Sequence, residues 1–81
     1  MKRQIDLLDE LYQSGKLQEL VKGGLIQTSI LMWRNIFHAF EYRLEATGSK
    51  MQAMEDVSQN FGISVSLVEK VRRKLGCKIL S

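Results

Sequence analysis

Eighty-one residues make one small domain, which buries only a modest share of its surface unless its elements pack well or it associates. The apolar content of 44%, the absence of proline and the scattered β-branched residues exclude a disordered chain or a sheet protein and point to an all-helical fold. The one cysteine excludes an internal disulfide, one cysteine and one histidine do not make a structural metal site, and no stretch approaches the ~20 apolar residues that span a bilayer. A cytoplasmic chain without cofactor is therefore expected.

The first helix is predicted from Ile5 to Gln13, where Ile5, Leu8 and Tyr12 share a face that Leu7 and Leu11 widen. Asp6, Asp9 and Glu10 suit an early turn, where the helix macrodipole favours acids. Ser14-Gly15 ends or bends this helix, and Lys16 to Lys22 continues it as a kink or follows it as a second piece with Leu17, Leu20 and Val21 apolar. Gly23-Gly24 closes an N-terminal helical segment, residues 1–24, which packs on the core or on a second subunit.

Residues 25–47 hold the longest helix, capped by Thr28 or Ser29 and running to about Ala46. Ile30, Trp33, Phe37, Phe40 and Leu44 recur every three or four residues, and Met32, Ile36 and Ala39 broaden the stripe. So wide an apolar face belongs at the centre of the fold. Thr47-Gly48-Ser49 ends the helix, and Ser49 is placed to cap the next.

Residues 50–76 read as two short helices joined at Asn60-Phe61-Gly62-Ile63-Ser64. Met51, Met54, Val57, Ser58 and Phe61 share a face of the first. Gly62 admits a positive φ, Ser64 is placed to N-cap the second helix, and Leu67, Val68, Val71 and Leu75 form its apolar stripe up to Gly76. Charge is distributed unevenly. Residues 1–49 carry equal numbers of cations and acids, whereas residues 50–81 hold Lys50, Lys70, Arg72, Arg73, Lys74 and Lys78 against Glu55, Asp56 and Glu69, the whole net +3. A basic cluster of this kind suits phosphate contact, although Lys and Arg at a helix end also complement the macrodipole.

The stretch Met51 to Leu75 resembles the helix-turn-helix of bacterial DNA-binding proteins. That pattern has a small residue, a glycine four places on, an apolar residue next, and apolar residues five and eight places later, here Ser58, Gly62, Ile63, Val68 and Val71. Ser58 stands where alanine is usual. With the long helix before it, the order resembles the three-helix unit of bacterial regulators, and more loosely small proteins of mobile elements and phages. The resemblance implies double-stranded DNA as partner, with Val65 to Leu75 as a recognition helix in the major groove. Ser66, Lys70 and Arg73 would then reach base edges and Val65 a thymine methyl, while Arg72, Lys74 and Lys78 would meet phosphates. Glu69 would accept from cytosine or pair with Arg73 at i,i+4; Ser64 and Ser66 would offer hydroxyls to a phosphate, with capping the first role of Ser64.

Catalytic chemistry is not expected. His38 lacks partners at suitable spacing, Gly23-Gly24 lacks the lysine of a phosphate loop, and Trp33 and the phenylalanines sit at core spacing. Cys77 reads as a bystander thiol, although the surrounding cations would favour its thiolate. The expected function is sequence-specific DNA binding in transcriptional regulation, by a homodimer that spans two half-sites with residues 5–22 and the wide face of the long helix as candidate surfaces, or by a monomer acting beside another DNA-binding protein, and no small-molecule ligand is expected. A helical protein-interaction module and a mobile-element replication or recombination accessory factor are the alternatives.

Overall fold

Local capping chemistry divides the chain into five helices in the computed structural model, which describes residues 2–77. They are α1 (Gln4–Gln13), α2 (Lys16–Lys22), α3 (Ser29–Thr47), α4 (Lys50–Phe61) and α5 (Val65–Leu75). At the head of α1 the Arg3 amide donates to the Asp6 carboxylate at 2.9 Å. That bond, with the charges of Arg3 and Lys2, holds the Asp6 carboxyl below its ordinary range. Gly15 then takes φ +81°, so α1 and α2 are two helices rather than one kinked one.

The start of α3 differs from expectation. Thr28 is already in helical conformation and caps with no side-chain hydrogen bond. The Ile30 and Leu31 amides instead donate to the Gln27 and Thr28 carbonyls at 3.1 Å, a tight first turn that satisfies donors without a hydroxyl. Ser49 does cap α4, its Oγ accepting from the Gln52 amide at 3.3 Å.

α3 is the centre of the packing and touches α1, α4 and α5. Ile36, Phe37 and Phe40 are buried against Ala53, Met54 and Val57 of α4 and Val68, Val71 and Leu75 of α5, with Ile5 added from α1. Each of the larger side chains, all but Ala53, contributes about 1.5–3 kcal/mol by leaving water. The buried stripe is rotated from the predicted one. Ile36, expected only to broaden the face, is wholly enclosed, whereas Trp33 and Leu44 pack at its margin and Ile30 is only half-buried. On α4, Met51 is 67% exposed and Ala53 fully buried. Lys50, Met51 and Gln52 are all exposed, so the first turn of α4 projects beyond its neighbours and the predicted Met51 face begins one turn later.

α2 packs on α1 alone, burying Leu17 and leaving Leu20 and Val21 half-covered. The N-terminal segment is fastened to the rest at three points. The Gln4 amide donates to the Cys77 carbonyl at 2.8 Å, and Arg3 lies 3.5 Å from Glu41. Asp9 Oδ1 meets both Arg34 Nε at 2.7 Å and His38 Nε2 at 2.8 Å. Ile79 and Leu80, whose apolar side chains suit packing on the core or on a partner, lie outside the described residues.

Candidate nucleic-acid interface

The connection between α4 and α5 is three residues long and hydrogen-bonded throughout. Gly62 sits at φ +66°, a left-handed conformation that costs any other L-residue, and its amide donates to the Ser58 carbonyl. The Ile63 amide donates to the same carbonyl at 3.0 Å. In return Ser58 Oγ donates to the Ile63 carbonyl at 2.5 Å, so the hydroxyl at this position ties the turn to α4. Ser64 Oγ then accepts from the Leu67 amide at 3.2 Å and starts α5.

This start fixes the rotation of α5. Val68, Val71 and Leu75 go inward and are fully or almost fully buried, and Leu67 packs beside them. Ser64, Val65, Ser66, Lys70, Arg73 and Lys74 are exposed. All but Ser64 border an open groove of about 800 Å³, which also has Met54, Glu69 and Cys77 in its wall. Lys78 lies outside the described residues.

Four predicted site residues have partners of their own. Arg72 is half-buried along the helix with Nη2 2.6 Å from Glu69 Oε1 and Nε 3.2 Å from Oε2. The expected partner of Glu69, Arg73, is also present but more distant, with Nε at 3.4 Å. The Arg72 hydrogen bonds, then the Arg72 charge, the Arg73 hydrogen bond and the Lys50 charge, outweigh desolvation and hold the Glu69 carboxyl down to about 2. The same bond pushes Arg72 above its already high value. Lys70 Nζ stands 5.8 Å from the Trp33 ring centroid, a cation–π contact that brings α3 to the edge of the surface.

Two features carry no signal in the sequence pattern. Lys50, at the exposed first turn of α4, adds its charge to the surroundings of Glu69. His38 shares Asp9 with Arg34, whose guanidinium also lies 4.0 Å over the Tyr12 ring. The partners in this cluster are 25 and 29 positions apart, so helical spacing does not reveal them. Among the described residues no group of three or more His, Cys, Asp or Glu converges as metal ligands would, and no helix is long and apolar enough to cross a membrane. Comparison of the chain with protein-family models, curated proteins and solved structures gives no match.

Proposed function

We propose that this chain binds double-stranded DNA with α4 and α5 acting as a helix-turn-helix, and that it regulates transcription in a bacterial cytoplasm. The observation that carries the reading is the exposed face of α5, where Lys70, Arg73 and Lys74 stand beside Val65 and Ser66, opposite a face sealed by Val68, Val71 and Leu75. A B-form major groove about 12 Å wide admits a single helix, and its floor offers guanine acceptors to Lys and Arg and thymine methyls to small apolar side chains. Lys70, Arg73, Ser66 and Val65 suit those base edges. Lys74 and the projecting Lys50 suit phosphates, and Arg72 joins them only if it leaves Glu69. No catalytic step and no small-molecule ligand are assigned.

One such unit covers few base pairs, and specific operators are bound by dimers across half-sites one turn apart. A second copy of the chain is the proposed occupant of the open flank of α2 and the following loop, where Leu25 is 78% exposed. The primary test is fluorescence anisotropy of a labelled duplex over a salt series. Wild-type binding should weaken steeply with salt. A Lys70→Ala/Arg73→Ala variant should bind more weakly, with a slope shallower by about 0.9 for each phosphate it no longer neutralises. Absence of wild-type binding at low salt, or indifference to the double substitution, would overturn the proposal in favour of a protein-interaction module.

A further inference from the structure

We infer that Glu69 sets the specificity of the proposed DNA-binding surface by lowering its affinity for generic duplex, a role that rests on the DNA-binding reading above. The argument begins with position. Glu69 lies in the wall of the groove bordered by Ser66, Lys70, Arg73 and Lys74, so its charge belongs to the surface that would face the duplex. Its two oxygens are occupied by Arg72, through bonds of 2.6 and 3.2 Å, and one of them also draws Arg73 at 3.4 Å. Arg72 and Arg73 therefore share one counter-charge before any phosphate arrives. Lys50, across on α4, lies within the same field.

The effect on DNA differs between phosphates and bases. Generic affinity comes from cations that displace counterions from the backbone. A guanidinium already bonded to a carboxylate must give up that bond to do so, and the half-buried carboxylate itself repels phosphate. The closer partner of Glu69 is Arg72, at 2.6 and 3.2 Å, which suits phosphates rather than base edges; Arg73 is held only by the longer bond of 3.4 Å, and Lys70, Ser66 and Val65 keep their reach toward base edges. The clamp thus subtracts mainly from the sequence-independent part of binding, while the quantity that matters on a chromosome is the ratio of specific to generic affinity. Because Glu69 titrates near 2, the subtraction operates at every physiological pH.

The test compares wild type with Glu69→Gln on a labelled generic duplex between about 50 and 200 mM salt. Glu45→Gln is the control, since it removes an equal charge from an exposed position near the end of α3, outside the groove beside α5. Glu69→Gln should bind generic duplex more tightly, with a slope steeper by about 0.9 for each arginine freed, so that its advantage over wild type shrinks about 3.5-fold per arginine across that range. Adding Arg72→Gln should return about 0.9 of the slope, which a merely helix-stabilising Glu69 would not produce. Glu45→Gln should match wild type. Equal slopes for Glu69→Gln and wild type, or an equal gain from Glu45→Gln, would overturn the inference while leaving DNA binding intact. Failure of wild type and Glu69→Gln alike to bind at low salt would overturn the DNA-binding reading itself.

Discussion

Glu69 shows how one side chain changes the meaning of its neighbours. By composition, Arg72 and Arg73 are two free cations; in the fold they are two arms around one carboxylate. The pairing has a pH signature. The folded carboxyl titrates near 2, below the ordinary 4.5, so the folded state holds this proton less tightly than the unfolded chain. The stabilisation is fully present above pH 4.5 and is lost as pH falls from there toward 2. A carbon-detected NMR titration should find the Glu69 midpoint near 2, and Arg72→Gln should return it toward 4.5. A wild-type midpoint at 4.5 would mean that the clamp is not formed in solution.

At the scale of the helices, the boundaries are legible in the sequence because the signals that set them are local. Ser49, Ser64 and Gly62 each act within a few residues of themselves, and all three lie where their chemistry predicts. Thr28 is the exception, because a tight first turn takes the place of its hydroxyl. The faces are less legible. Which of Trp33, Ile36 and Phe37 goes deepest depends on where α4 and α5 cross α3, and helical spacing alone leaves a rotation of one residue open. The same holds for Met51, apolar by type but placed on a turn that overhangs its support. For the candidate site, exposure of Lys70, Arg73 and Lys74 follows from periodicity, whereas the preference of Glu69 for Arg72 over Arg73 depends on rotamers. The connection between α4 and α5 offers a direct test of the local logic. A Cβ on Gly62 meets no atom within 4 Å, so Gly62→Ala probes backbone strain alone. It should cost about 1–2 kcal/mol in chemical denaturation. A neutral substitution would show that the turn relaxes to another geometry.

On the scale of the whole molecule, the chain divides into a tight unit of α3, α4 and α5 and an N-terminal pair fastened to it through α1. The Asp9 cluster, the Arg3–Glu41 pair and the Gln4–Cys77 hydrogen bond make α1 part of the core, while α2 leans outward from it. An 81-residue chain has little apolar area to spare, and a large side chain as exposed as Leu25 is the kind of feature that association covers. Sedimentation equilibrium should return twice the 9.3 kDa chain mass at micromolar concentration, and Leu25→Glu should return the single mass with the helical circular dichroism unchanged. A wild type that sediments as one chain at every concentration would remove the proposed second copy.

Cys77 is the only thiol of the chain, and it is exposed. It stands just beyond α5, with its backbone held by Gln4 and its position beside the groove. The molecule therefore carries one natural attachment point at a known place on its surface. An iron chelate coupled there generates short-lived radicals from a fixed origin. On a duplex bound as proposed, the strand breaks these leave would report, nucleotide by nucleotide, which end of α5 points where along the DNA; a duplex left uncut would count against that binding.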